Sequence, residues 1–443
     1  MLVARHVRGA GLSVRGAQAL KVAYVTVQFP VPSETFATHE VRVLSSQGVV
    51  ISVHGLRPEH RDARELASAR EVDDVETTHN SFRASVRGAM VALQRPALFL
   101  RAVSWIVRAN LRNARDVLLS LLLLPRAFDI LTELEAKQPQ IVHLYWGHFP
   151  SIVGFLVQRR LPHIVTSISF VAYDLKREYG GSIEVARQAD VVRTHASVNV
   201  DQVVLFTGIA RERVQVIFDG VDVTWIERLG HGIDRVPRRL VATGRLIPDK
   251  GMDDVVTAFA GVHARWPDST LVIAGDGPDR DRLVAMCDTL NVSEAVKFVG
   301  HVAHSRVIQE MARAESFLLL SRYGAERLPN VVKEAMASRC LCITTPTRGI
   351  EELVEHGVSG FVVPMSAPEA VTGIVHELFS GQLDAASIAE RGADHVRRCF
   401  DVFNTAPQYT ALWRAAIDTR GDGPRASSGA GGQWRRRAAE FDA

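Results

Sequence analysis

The segment Gly244-Arg245-Leu246-Ile247-Pro248-Asp249-Lys250-Gly251 carries two cations between two glycines. The glycines let the backbone turn tightly and approach a ligand closely. Arg245 and Lys250 suit a diphosphate, and they would stabilise negative charge growing on a departing nucleotide. Taken alone, such a loop reads as an ordinary surface turn. A second constellation changes that reading. Glu326-Arg327-Leu328-Pro329-Asn330-Val331-Val332-Lys333-Glu334-Ala335-Met336-Ala337 joins a loop to a helical pattern. Pro329 suits the first turn of a helix, whose free N–H groups attract an anion. Glu326 in the loop can accept sugar hydroxyls, and Glu334 on the helix can hold a ribose diol. By themselves two such glutamates read as solvated surface. Gly275-Asp276-Gly277-Pro278 and Gly349-Ile350-Glu351-Glu352 are further turns of the same kind, and Gly357 to Gly360 leads into a last apolar run. Four turns in one segment favour a concerted ligand face over accident.

Such loops need strands behind them. Apolar, β-branched runs occur at Lys21–Val27, Val49–His54, Gln140–Tyr145, His163–Ile168, Val191–Thr194 and Val214–Phe218, with helical patterns at Thr35–Gln47 and Ser182–Ala189. A second series runs Arg239–Thr243, Thr270–Ala274, Ala295–Val299, Ser316–Leu320, Leu341–Thr345 and Phe361–Val363. Between these lie helical patterns at Met252–Ala264, Asp279–Leu290, Arg306–Ala314, Asn330–Ala337 and Glu351–His356. Strands alternating with helices predict an α/β fold of two parallel-sheet, Rossmann-like domains covered on both faces. Ligands of such sheets sit at the C-terminal strand ends. The expected layout is an extension (1–20), a first domain (21–218), a join (219–237), a second domain (238–395), a further helix (396–418) and a disordered tail (419–443). The helical pattern Ala389–Ile417 is longer than the second domain needs.

The 443-residue length suits two domains. A net charge of +3 with both signs interspersed gives no nucleic-acid footprint. Cys287, Cys340, Cys342 and Cys399 form neither a CxxC pair nor a metal spacing, as expected of reduced thiols in a cytosol. No secretory signal or membrane span is evident, so a cytoplasmic protein is expected. The segment 82–126 stands apart. It mixes Leu, Val, Phe99 and Trp105 with eight arginines, and its one acid is Asp116. Either its helices pack on the first sheet with arginines in water, or it lies on an anionic membrane surface at the inner face of the plasma membrane.

The ordered set of the GRL…KG loop, the GDGP turn, the Glu326…Glu334 motif with its EAMA continuation and the closing GxxGFVVP resembles family 4 of the retaining glycosyltransferases, which have the GT-B fold. Phe29-Pro30-Val31-Pro32-Ser33-Glu34-Thr35-Phe36 resembles the opening of members that build bacterial exopolysaccharides, such as the colanic acid type. The resemblance implies a nucleotide-diphosphate sugar as donor, a glycan or lipid-linked acceptor, and no metal or other cofactor. Arg245 and Lys250 would bind the diphosphate, Glu326 would sit by the donor sugar, and Glu334 would bind the ribose. The backbone of Leu328, Pro329, Asn330 and Val331 would contact sugar and phosphate, with Gly244, Gly275 and Gly277 lining the same site. Ser33, Glu34 and Thr35 would face the acceptor, and the last helix, 396–418, would cross back onto the first domain.

Two departures stand out. Val171 occupies the place of a histidine usual in this family, which valine cannot replace as a hydrogen-bonding group. Asp174, His148 and His143 are the nearby groups able to stand in, Asp174 as a catalytic residue and His148 on the acceptor side. Arg327 replaces a glycine. Asp279-Arg280-Asp281 has the look of a metal-binding DxD but is expected to start a helix. A catalytically silent sugar-nucleotide-binding subunit of a polysaccharide assembly complex is the main alternative, and a sugar-nucleotide epimerase a further one.

Overall fold

The computed structural model describes residues 19–421 apart from Ser33 and Ala325. The expected extension through residue 18, most of the expected tail and Ser33, expected to face the acceptor, lie outside the described residues.

The first sheet has seven strands: β1 (Lys21–Thr26), β2 (Val50–Gly55), β3 (Glu76–Thr78), β4 (Ile141–Leu144), β5 (Val165–Phe170), β6 (Val191–Thr194) and β7 (Val214–Val216). They lie in the order β3-β2-β1-β4-β5-β6-β7, every pair parallel. The second has six: β8 (Arg239–Thr243), β9 (Thr270–Ala274), β10 (Val296–Gly300), β11 (Ser316–Leu319), β12 (Leu341–Thr344) and β13 (Phe361–Val362), in the order β10-β9-β8-β11-β12-β13, again all parallel. Strands β4, β5, β6, β11 and β12 are buried along their whole length, because helices cover both faces. In each sheet the chain reverses direction of travel beside its first strand, between β1 and β4 and between β8 and β11. A crevice opens at such a reversal, outside the carboxyl ends of the strands.

Several elements differ from the sequence reading. The edge strand β3 has no apolar run, only Glu76-Thr77-Thr78, half-exposed. The pattern Glu351–His356 yields one 3₁₀ turn, Ile350–Glu352, entered through Gly349 at φ 82°. The pattern Ala389–Ile417 splits into helices Ala385–Cys399 and Val402–Gly421. Between them Asp401 accepts from the Phe403 N–H at 3.1 Å, and Phe400 is fully buried. The stretch 219–237 is not a loose join: Asp222 caps a helix, Val223–Gly230, by accepting from the Trp225 N–H at 2.8 Å.

The last helix lies on the first sheet. Trp413 is fully buried among Tyr24, His143 and Tyr409. Hiding an indole of roughly 200 Å² stabilises this docking by about 5 kcal/mol. The chain therefore passes between domains twice, and the passages are paired. The Val221 N–H donates to Phe400 O at 2.8 Å and the Val402 N–H to Val221 O at 2.9 Å.

Segment 82–126 folds as helices Phe82–Gln94, Pro96–Ala109 and the start of Ala114–Lys137. Pro96 suits a first helical turn and starts the second of these. Ser81 and Asn113 cap the first and third by accepting from Ala84 N and Asp116 N.

Candidate functional site

The loops after β8 and β9 are joined backbone to backbone. Gly244 N–H donates to Ala274 O at 3.0 Å, Leu246 N–H to Asp276 O at 2.9 Å, and Asp279 N–H to Leu246 O at 3.1 Å. This closeness explains the glycines. A Cβ on Gly275 (φ 137°) would lie 1.9 Å from Gly244 O, and one on Gly277 (φ 159°) 2.3 Å from Leu246 O. Leu246 is buried between the loops, and Arg245 beside it is exposed, with no ion pair among the described residues.

Gly251 (φ 63°) brings the end of the first loop against β11, where a Cβ would lie 1.9 Å from Leu320 O. Arg322 N–H donates to Asp249 O at 2.8 Å, and the Arg322 guanidinium grips Asp253 and Asp254. This clamp sets Lys250 beside the segment that follows β11. Lys250 Nζ forms an ion pair with Glu326 Oε1, both side chains largely buried, and stands 6.0 Å from the Tyr323 ring centre.

Glu334 lies elsewhere. It is buried, and its Oε1 meets His304 Nε2 at 2.9 Å. His304 packs on Trp225 (5.0 Å between centres) and on His39 of the first domain (6.2 Å). Burial pushes the His39 imidazole down to about 3, with His304 adding to the shift. Pro329 is corrected to the position just before the helix Asn330–Ala337, where ψ 128° keeps it out of the first turn. Leu328 is buried at φ 44°. Asn330 accepts from Lys333 Nζ at 3.0 Å, and the same Nζ donates to Asp219 O at 2.8 Å. Burial lowers the Lys333 ammonium to about 8, with Asp219 opposing the shift. Arg327 turns back on its own loop and donates to Gly324 O and Glu326 O.

In the first domain, the ends of β4 and β5 bring His148 and Asp174 together. Asp174 is buried; one carboxylate oxygen meets His148 Nδ1 at 2.7 Å and the other accepts from Val171 N–H at 3.1 Å. Gly147 leaves room for this, since its Cβ would lie 2.6 Å from the Phe170 ring. Val171 is apolar and buried. Glu34 is near: burial pushes its carboxyl up to about 8, Arg70 opposes, and the Asp174 charge adds. Thr35 starts the helix Thr35–Ser46, and its carbonyl accepts from Thr38.

His143 is corrected to the core. Its Nδ1 meets Ser167 Oγ at 2.9 Å, its ring packs on Tyr24 and Tyr409, and burial drops it to about 3. It does not stand in for the missing histidine. Asp279 pairs with Arg282 and Asp281 points to water. Among the described residues no three His, Cys, Asp or Glu side chains cluster as a metal site.

The two halves also meet where Lys176 Nζ stands 4.9 Å from the Tyr323 ring centre. Sequence reasoning missed Lys176, Tyr323, His304, Trp225 and Lys333. Tyr323 lies three residues before Glu326 and Lys333 directly before Glu334, and that proximity was the one signal they offered.

Solved structures share this architecture. One of Anabaena Alr3699/HepE in complex with UDP aligns over 90% of this chain and 100% of its own, with a TM-score of 0.66 and 17% identity. Sucrose-phosphate synthase from Thermosynechococcus elongatus aligns over the same shares with a TM-score of 0.64 and 14% identity. The fold is GT-B. Within this GT-B chain, residues 224–395 match the family Glycosyl transferases group 1. Over 214 residues the chain is 28% identical to a glycogen synthase of Mycobacterium tuberculosis, covering 48% of this chain and 50% of that one. Over 165 residues it is 30% identical to an alpha-D-kanosaminyltransferase of Streptomyces kanamyceticus, covering 37% and 41%. The chain thus spans about half the length, or less, of these curated relatives.

Proposed function

We propose that the chain is a retaining glycosyltransferase that moves a sugar from a nucleotide-diphosphate donor to a glycan or lipid-linked acceptor. The observation that carries this reading is the Lys250–Glu326 ion pair, which joins the loop after β8, where Arg245 is exposed, to the loop after β11 that leads into helix Asn330–Ala337. The match to Glycosyl transferases group 1 over this half supports it, as do the UDP-bound neighbour and the relatives named as glycosyltransferases.

Arg245 takes the diphosphate, and the helix start offers N–H groups to the same anion. Lys250 neutralises charge developing on the leaving phosphate while Glu326 holds it in place, so the cation is positioned before the bond breaks. Glu334, oriented by His304, takes the ribose. On the opposite wall Asp174 fixes His148 by its Nδ1, which leaves Nε2 for an acceptor hydroxyl. His148 thereby supplies the imidazole absent at Val171, which favours an active enzyme over a silent binding subunit. Retention, membership of family 4 and a role in exopolysaccharide or cell-surface glycan synthesis at the cytoplasmic face of a membrane rest on the sequence resemblance.

The test is release of free nucleoside diphosphate from a panel of nucleotide sugars, with glycan and lipid-linked acceptors. Arg245→Ala and Lys250→Ala should each lower turnover about 10²–10³-fold with the fold intact. Turnover within threefold of wild type for both variants refutes the reading.

A further inference from the structure

Helices Phe82–Gln94 and Pro96–Ala109 and the start of Ala114–Lys137 turn one apolar side inward. Gly88 is pressed onto the third helix, where a Cβ would lie 1.7 Å from Pro125 O, and Trp105 stacks on Phe155 at 4.2 Å between centres. The outward sides are not uniformly polar. Phe82, Val86, Met90 and Leu93, exposed by 84%, 41%, 51% and 79%, follow one another at helical spacing on the face opposite Gly88. Leu111, Leu118 and Leu122 do the same on the third helix and its approach, with Arg115 in the same stripe. Eight of the fifteen large apolar side chains exposed among the described residues fall between Phe82 and Leu122. Isolated exposed leucines are normal in a soluble protein; a concentration of this kind marks an interaction surface.

The charge around it selects the partner. Arg83, Arg101, Arg108, Arg112 and Arg115 are exposed and have no carboxylate partner among the described residues. Asp116, the one acid in the segment, is buried and spent on Arg177. We infer that this face docks on an anionic lipid bilayer, with the leucines and Phe82 entering the headgroup layer and the arginines meeting lipid phosphates. It lies on the membrane and does not span it. No single helix among the described residues is long and apolar enough to cross, and the first two helices are bent by 108° with their inner sides committed to the domain core. The inference stands apart from the transfer reaction, because it concerns lipid adsorption alone.

Flotation of the full chain with vesicles tests it. Recovery with vesicles of equal parts phosphatidylcholine and phosphatidylglycerol, and loss of recovery with phosphatidylcholine alone or in molar salt, is expected. The triple variant Arg101→Glu, Arg112→Glu, Arg115→Glu should partition at least about 100-fold less, since each basic side chain near the surface contributes roughly fivefold. Leu93→Ser with Leu118→Ser and Leu122→Ser should weaken binding with every charge in place. Both variants are confirmed as folded by circular dichroism. Failure of the wild type to float with the anionic vesicles overturns the inference, whether or not the chain captures an acidic protein. So does flotation of both variants at the wild-type level.

Discussion

Lys250 and Glu326, 76 residues apart in sequence, form one ion pair at the reversal point of the second sheet. Each belongs to a different loop, and each loop is clamped to the other through Arg322 and Asp249. A cation held this way is positioned without depending on the substrate to order it.

Breaking the pair should therefore cost both stability and turnover. Lys250→Ala leaves a largely buried carboxylate without its partner, and is expected to lower unfolding free energy by about 1–3 kcal/mol. The double variant Lys250→Ala with Glu326→Ala should recover part of that loss in a urea titration but none of the turnover. Recovery of turnover in the double variant would remove Lys250 from the chemistry.

His148 and Asp174 sit on the other wall. His148→Ala is expected to lower transfer about 10²-fold, the scale of a positioned acid–base group. Nucleotide-sugar affinity by titration calorimetry should stay within twofold, because the donor binds the second domain. An equal loss of donor affinity would place His148 in the wrong half of the reaction.

The loop glycines separate steric crowding from backbone strain. Gly275→Ala drives a Cβ into Gly244 O and is expected to destabilise the protein by about 3 kcal/mol, with loss of nucleotide binding. Gly300→Ala also asks for positive φ, at 70°, in the left-handed region that alanine reaches at modest cost, with open space around it, and should cost only about 1–2 kcal/mol. Thermal unfolding of the two variants side by side checks this.

Glu40 gives the fold a pH dependence of known sign. Burial holds its folded carboxyl up to about 7, opposed by Arg193 and by the Tyr24 hydroxyl, which donates to it at 2.7 Å. The unfolded side chain ionises near 4.5. Stability from the retained proton is full in acid and is lost as pH rises from the unfolded to the folded value. Glu40→Gln should therefore gain on the order of 2 kcal/mol on wild type between the two ends of that window. Glu34, held up to about 8, adds a slope of the same sign over this range in both proteins and so cancels in the comparison, and Lys333, lowered to about 8, has its slope above it. Parallel stability curves for the two proteins would show that Glu40 is ionised in the fold.

The strands were legible because a parallel sheet covered on both faces keeps its strands rich in apolar and β-branched residues, as in Thr270–Ala274 and Ser316–Leu319. The glycine turns were legible because close backbone approach admits no other residue. Edge strand β3 was not, since three half-exposed residues need no apolar pattern. Nor was the break at Phe400 and Asp401. Both flanking helices bury a stripe, and the interruption comes from pairing with Val221, a partner far away in sequence. The pairings that define the candidate site, Lys250 with Glu326 and Glu334 with His304, depend on sheet order, which residue spacing along one chain does not encode. His143 and His148 are five residues apart in one short segment; only the strand register sends one into the core and the other to its edge.

The two passages at Val221 and Phe400–Val402 have a mechanical consequence. A single tether would let one half swivel freely about the other. Two tethers bonded side by side behave like the pins of a door: turning about their common line leaves the bridge between them intact, whereas twisting or sliding must break it. With Gly220 so tight against Val402 that a Cβ would lie 2.5 Å from its Cα, the pins have almost no play. Any turning of one half on the other is thereby confined to one axis and returns the same two edges to each other.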